Sequence, residues 1–182
     1  AVYGLTAVDA ITTGDKNTAI GYGAGGAITT GSENVAVGFL ALSTEDTGNK
    51  NVAIGSTALA NFNFDSDGFN TAVGYAASNA LTTGRYNISI GTNAMDGFDT
   101  ETHNIGIGVD ALGGSVAGGE YNVAIGNYSL DAVTSGDNNV AIGYDAGTDV
   151  TTASNCTLLG TQAGMNITEG NTNTCIGENF HR

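Results

Sequence analysis

The chain has 182 residues, of which 29 are glycine and none is proline or tryptophan. Large apolar side chains are too few for an ordinary compact core, so the composition favours an elongated body that buries small residues by regular stacking. Eighteen acidic residues against four basic ones give a formal net charge of −14, which disfavours binding to nucleic acid or to anionic lipid, and no apolar stretch is long enough for membrane insertion.

A short motif of the form N-x-A-[IV]-G recurs along the whole chain, from AVYG at 1–4 to NTCIG at 173–177. The usual step between copies is 17 residues, and a fixed period of this kind is typical of a solenoid. Two longer steps contain the segments 61–69 and 113–121, which we predict to be inserted loops. The last residue of each motif is called the marker glycine: Gly4, Gly21, Gly38, Gly55, Gly74, Gly91, Gly108, Gly126, Gly143, Gly160 and Gly177.

Each motif predicts a short β-strand. The residues one and three positions before the marker glycine are mostly Ile, Val or Thr, and they share one face of the strand. We expect the chain to bury this branched face by coiling on itself. The residue between them, which we call the middle strand position, is usually Ala and points to the other face. We expect this alanine face, and a second alanine column three residues after the marker glycine, to need a second wall or another subunit. The middle strand positions are Ala19, Ala36, Ala53, Ala72, Ser89, Gly106, Ala124, Ala141, Leu158 and Cys175.

The rest of the unit predicts turns. The marker glycine and the glycine of the TTG or SG segment are both expected at corners where glycine adopts positive φ. The motif opens with a column of asparagines, whose side-chain amides can stack from coil to coil. This structural ladder consists of Asn17, Asn34, Asn51, Asn70, Asn87, Asn104, Asn122, Asn139 and Asn173.

These features predict an all-β fold: a single parallel β-solenoid over 1–182 with about eleven coils of 17 residues. A coil spacing of about 4.8 Å makes the rod about 50 Å long. A helical fold is excluded because each helical glycine costs about 1 kcal/mol relative to alanine.

The motif N-x-A-[IV]-G-x-x-A with a following TTG resembles the head repeats of trimeric autotransporter adhesins and, more closely, the 17-residue repeats of phage and algal-virus tail fibres. The resemblance covers Val2 to Phe180. It implies a left-handed β-roll or β-helix, three chains packed side by side, and an extracellular location on a cell surface or virion. Unpaired strand edges at the ends of a solenoid also favour head-to-tail stacking into a filament.

Tyrosines recur in two columns and are candidates for ligand binding. Tyr22, Tyr75 and Tyr144 follow a marker glycine, whereas Tyr86 and Tyr121 precede a ladder asparagine. Exposed rings could stack on the sugars of a cell-surface glycan or receptor. Stacking of the rings on one another along the rod, or between subunits, is the alternative we favour.

Other reactive residues predict little chemistry. Asp65 and Asp67 are the nearest candidates for a cation site or for paired catalytic carboxylates, with solvated loop acids as the favoured alternative. Cys156 and Cys175 lie on adjacent coils two residues out of register, so a disulfide between them needs local distortion. His103 is predicted to be an exposed turn residue.

The sequence therefore predicts a non-catalytic protein without a cofactor that serves as a structural or adhesive fibre subunit. Two alternatives stay open. An ice-binding solenoid would use threonine columns, but adjacent threonines such as Thr29 and Thr30 point to opposite faces. A viral tail-fibre shaft that binds or cleaves carbohydrate would use the tyrosines or the carboxylates.

Overall fold

The computed structural model describes residues 2–114 and 119–178. In these residues the fold is all-β, and eleven parallel strands form one sheet in sequence order. Each strand consists of motif residues. The strands are β1 Val2–Tyr3, β2 Thr18–Ile20, β3 Val35–Val37, β4 Val52–Ile54, β5 Thr71–Val73, β6 Ile88–Ile90, β7 Ile105–Ile107, β8 Val123–Ile125, β9 Val140–Ile142, β10 Thr157–Leu159 and β11 Thr174–Ile176.

The repeat sets the strand register. Equivalent residues of neighbouring motifs pair directly, as Ala19 does with Ala36, and the register is kept across the first insertion, where Ala53 pairs with Ala72. The predicted parallel β-solenoid is thereby confirmed. Eleven strands are joined by ten coil-to-coil steps, so complete coils are slightly fewer than the eleven predicted. Part of the second predicted loop, 113–121, lies outside the described residues.

The prediction of which strand face is buried within the chain was wrong. The alanine face lies inside the coil, where Ala53, Ala72 and Ala124 are completely buried. The branched face points outward, and Ile20 on this face is 42% exposed. The reason is volume: Leu, Met and Phe side chains from the turns occupy the interior and leave room opposite the strand only for small groups. These large buried side chains include Leu42, Leu59, Phe62, Leu81, Met95, Phe98, Leu112 and Leu130.

The second alanine column is also satisfied within one chain. Ala24, Ala41 and Ala58 have no solvent exposure in the single protomer, so their burial requires no second subunit. Neither alanine column is therefore evidence for oligomerisation, contrary to the expectation from the sequence.

Of the two predicted glycine corners, only the one at the marker glycines has the predicted positive φ. Gly74, for example, has a φ of 144°, a conformation that side chains rarely tolerate. The glycines of the TTG segments are not in this region, and a Cβ on Gly14 would instead collide with the carbonyl oxygen of Gly31 on the next coil. The left-handed conformation falls two residues later, on residues such as Lys16 with a φ of 57°. The second predicted glycine corner is therefore a close contact between coils.

The asparagine ladder runs through the buried interior. The backbone N–H of Asn34 donates to Oδ1 of Asn17 over 3.0 Å, and Nδ2 of Asn34 donates to the carbonyl of Gly48 over 2.8 Å. The same pattern links each coil to the next as far as Asn139, which accepts the N–H of Cys156. Each asparagine thus satisfies backbone groups that the turns would otherwise leave unpaired.

Candidate functional site: an apolar sheet face and an aromatic edge

The outward side of the sheet forms a continuous apolar surface, which we call the sheet face. It carries the two branched columns of the strands. Its outermost side chains are 36–43% exposed in the middle of the rod, as Ile90 at 38% and Leu159 at 43% illustrate. The sheet face consists of Thr18, Ile20, Val35, Val37, Val52, Ile54, Thr71, Val73, Ile88, Ile90, Ile105, Ile107, Val123, Ile125, Val140, Ile142, Thr157, Leu159, Thr174 and Ile176.

The area of the sheet face follows from the strand spacing. Eleven strands at about 4.8 Å spacing and about 10 Å of strand width give roughly 500 Å² of flat surface. This area is in the upper part of the range for the largest apolar patch of a soluble monomer, and such a patch often has a function. The sheet face is therefore the strongest candidate for a contact with another protein surface.

Three of the predicted ligand-binding tyrosines border the sheet face at the C-terminal ends of the strands. Tyr22 stacks on Phe39 with ring centroids 5.6 Å apart, and Tyr144 contacts Tyr128 edge to face over 6.1 Å. Tyr75 is 60% exposed. These rings extend the apolar area of the sheet face.

The other two tyrosines belong to a stack of four rings before the N-terminal ends of the strands. Centroid distances are 5.2 Å from Phe69 to Tyr86, 4.8 Å from Tyr86 to His103 and 4.8 Å from His103 to Tyr121. The ring planes lie within 19° of parallel. The sequence analysis did not place His103 in this stack, although its repeat-equivalent positions hold Tyr86 and Tyr121.

Basic side chains flank the same stack. The guanidinium of Arg85 lies over the rings of Phe64 at 5.1 Å and Tyr86 at 5.6 Å. Nζ of Lys50 lies 5.1 Å from the centroid of Phe69. We call the surface formed by Phe64, Phe69, Arg85, Tyr86, His103 and Tyr121 the aromatic edge.

The two acids predicted as a cation site, Asp65 and Asp67, bond to different side chains. Oδ2 of Asp67 accepts a hydrogen bond from Nζ of Lys50 over 2.6 Å, and this bond lowers the pKa of the Asp67 carboxyl. Oδ1 of Asp65 accepts one from the hydroxyl of Thr47 over 3.1 Å. Within residues 2–114 and 119–178, no three His, Cys, Asp or Glu side chains are grouped as a metal site requires.

Both cysteines are free thiols, Cys156 buried and Cys175 half-buried. The strand partner of Cys175 is Leu158, which leaves Cys156 two residues out of register, as the repeat alignment indicates. Sγ of Cys156 lies instead near Nδ2 of Asn173, at 3.6 Å. The asparagine column therefore continues past Cys156 with a sulfur as its acceptor.

The first threonine of each TT pair is used within the rod. Thr12 donates its hydroxyl to the carbonyl of Thr29 over 3.0 Å, and Thr151 donates to the carbonyl of Thr168 over 3.0 Å. These hydroxyls are therefore not a free array for ordering water. Among the described residues, no helix has the length and apolarity to span a bilayer.

Comparisons with known proteins add no relative. No protein-family model matches the chain. Searches of curated proteins and of solved structures also find no match.

Proposed function

We propose that the chain is a non-catalytic structural or adhesive fibre subunit whose protomers assemble side by side through the sheet face. One observation carries this proposal: the Ile and Val side chains of the strands lie at the surface along the whole rod and not in its core. Aliphatic side chains such as Ile90 and Ile142, which are 38% and 36% exposed, gain free energy when a second surface covers them. A second copy of the chain offers a surface with the same spacing.

The assembly that we propose is a homotrimer located outside the cell, on a cell surface or a virion. Three flat sheet faces can enclose one central apolar core, whereas the acidic turns stay at the periphery, where the net charge of −14 keeps the particle soluble. End-to-end stacking through the outer edges of β1 and β11, each of which has one neighbour in the sheet, would lengthen trimers into filaments.

Particle mass tests the lateral assembly. Size-exclusion chromatography with light scattering should give three times the chain mass of 18.1 kDa. Ile90→Lys should reduce the particle to monomers, because it buries like charges against each other at the interface. Ile11→Lys is the matched control, since Ile11 is equally exposed, at 39%, but lies outside the sheet face. A wild-type particle of 18.1 kDa at micromolar concentration would refute the lateral assembly.

Imaging tests the other parts of the proposal. Electron microscopy should show single rods about 50 Å long if only trimers form, and longer rods if end-to-end stacking occurs. Antibody labelling of intact cells or particles from the source should reach the protein without permeabilisation. Labelling only after lysis would contradict the extracellular location.

A further inference from the structure

The described basic side chains are confined to one side of an acidic molecule. Lys16, Lys50 and Arg85 are the only lysine and arginine residues in the described ranges, and His103 is the only histidine there. All four stand one or two positions before a ladder asparagine, so they follow the line of the aromatic edge. The same positions also hold the acids Asp15, Glu33, Glu120 and Asp137, so the strip carries both signs of charge and any free positive charge on it is local.

The stacked rings present polar groups along the same strip. Because Tyr86, His103 and Tyr121 cover each other's faces, with centroids 4.8 Å apart, their exposed parts are ring edges and polar tips. Tyr86 and Tyr121 are 42% and 52% exposed. The edge of an aromatic ring carries the positive end of its quadrupole, and a phenol can donate a hydrogen bond. The aromatic edge therefore favours electron-rich oxygen atoms over apolar side chains.

Arg85 is the one basic side chain of this strip that keeps its charge available. Lys16 pairs with Glu33 over 3.0 Å and Lys50 pairs with Asp67 over 2.6 Å, whereas Arg85 has no carboxylate partner among the described residues. The rings of Phe64 and Tyr86 pack against its guanidinium and restrict its orientation. A positioned guanidinium binds a carboxylate or a sulfate through two parallel hydrogen bonds.

We propose that the aromatic edge binds an anionic polysaccharide. Arg85 pairs with an acidic group of one sugar, and the ring edges and phenols of Tyr86 and Tyr121 contact sugar hydroxyls. The strip is linear, and beyond Tyr121 it continues along the same column with the exposed amides of Asn138 and Asn155, which also suit a hydroxyl-rich chain. This inference rests on the adhesive function proposed above and names its ligand class.

Calorimetric titration of the assembled protein at low ionic strength tests the inference. The probes are oligogalacturonate, which carries carboxylates, dextran sulfate, which carries sulfates, neutral dextran and polyglutamate. We expect binding to one or both anionic sugars that weakens as salt is raised, and stronger binding to them than to neutral dextran or polyglutamate. The better of the two anionic sugars identifies the acidic group.

Variants at Arg85 separate specific recognition from general charge. Arg85→Gln should lower the affinity for the anionic sugar at least about tenfold, and Arg85→Lys should recover only part of it, because a single ammonium cannot make the paired contact. Lys16→Gln removes the same charge four coils, or about 19 Å, away along the strip and should leave the affinity unchanged. Circular dichroism establishes that all three variants are folded.

Several outcomes would overturn the inference: no binding to either anionic sugar, equal binding of neutral dextran or polyglutamate, or equal losses in Arg85→Gln and Lys16→Gln. These outcomes are independent of assembly. A trimer that ignores anionic sugars refutes the ligand alone, whereas a monomer that binds them refutes the lateral assembly alone.

Discussion

Inside the coil, large side chains are tolerated where a facing residue is small. Leu158 occupies a middle strand position. Its two methyl groups fit only because Gly147 and Gly164 have no side chain: a Cβ added to either glycine would be 2.6 Å from a methyl carbon of Leu158. Gly106 occupies the same column and makes room for Met95, whose Cγ would be 2.8 Å from an added Cβ. In the core, a large side chain in one column therefore packs against a glycine in another column. The sequence analysis treated each column separately and did not reveal this pairing.

A double-mutant cycle tests this matching at Leu158 and Gly147. Leu158→Ala should lower the free energy of unfolding by about 2–5 kcal/mol, because it leaves a cavity. Gly147→Leu alone should also destabilise the fold through overpacking, but the double variant should recover most of the loss, since leucine occupies the equivalent position in Leu42 and Leu130. Urea unfolding at a fixed protein concentration measures the cycle. Additive losses in the double variant would mean that the two sites are not paired.

Buried glutamates appear on the coil before each insertion. In a regular coil, the N–H groups of Thr29, Thr30 and Gly31 all point to the carbonyl of Asp46 on the next coil. Before the first insertion, Oε1 of Glu45 takes this role and accepts the N–H of Gly48 over 2.6 Å. Before the second, Oε2 of Glu101 accepts the N–H of Asp99 over 2.6 Å. We infer that each glutamate replaces an acceptor that the insertion displaces.

The buried carboxyl of Glu45 gives stability a defined pH dependence. Burial raises its pKa above the ordinary value of 4.5, although hydrogen bonds from the backbone of Gly48, Phe64 and Thr47 oppose this shift. Between the ordinary value and the raised pKa, the carboxyl stays protonated in the folded chain but is ionised in the unfolded chain. The stability that this proton contributes is fully present below pH 4.5 and is lost as the pH rises through the raised pKa.

Thermal unfolding of the wild type and of Glu45→Gln from pH 4 to 8 tests this sign. The wild type should lose stability relative to Glu45→Gln as the pH rises above the ordinary carboxyl value. Glu33→Gln, at an exposed carboxylate, is the control and should not reproduce this trend. A constant difference between the wild type and Glu45→Gln, or one of opposite slope, would contradict the assignment.

At the scale of the coil, the repeat predicted the strands, the register and the asparagine column, because these depend only on spacing. The orientation of the strand was not predictable in the same way. Alternation of Ile54 and Ala53 shows that two faces differ, but which one faces inward depends on how much volume the turns contribute. Phe62 and Leu59 provide that volume, and their contacts depend on a chain path that the strand motif does not contain.

Within the coil, the asparagine ladder should contribute strongly to stability. Asn87→Ala would remove two hydrogen bonds to buried backbone groups: the one from the N–H of Asn104 to Oδ1 of Asn87, over 2.9 Å, and the one from Nδ2 of Asn87 to the carbonyl of Glu101, over 2.8 Å. We expect a loss of about 2–4 kcal/mol in urea unfolding. Asn61→Ala removes one exposed hydrogen bond, to the carbonyl of Asn79, and should cost less than about 1 kcal/mol. Equal losses in the two variants would argue against a structural ladder.

At the scale of the whole molecule, the position of a residue along the rod and its position around the coil determine different properties. The first decides which residues are neighbours in a column, and the second decides whether a side chain faces the core, the sheet face or a turn. The aromatic edge illustrates the difference. Its column was evident in the sequence, but the stack depends on four rings standing on consecutive coils, from Phe69 to Tyr121. Sequence spacing alone also gave no sign that Arg85 would lie between two rings.

Deletion of one repeat tests whether register alone specifies the rod. Removal of residues 144–160 takes out 17 residues and would place Asn173 directly after Asn139 in the ladder, while Gly164 takes the place of Gly147 beside Leu130. This variant should keep its β-sheet circular dichroism and unfold cooperatively, because each repeat contacts only its neighbours.

Removal of residues 144–159, which is one residue fewer, moves the strand out of register with its neighbours and would turn Thr174 rather than Cys175 toward the core. We expect the second variant to lose cooperative unfolding in its C-terminal coils. If both deletions unfold alike, the stacking of equivalent positions is not what holds the coils together.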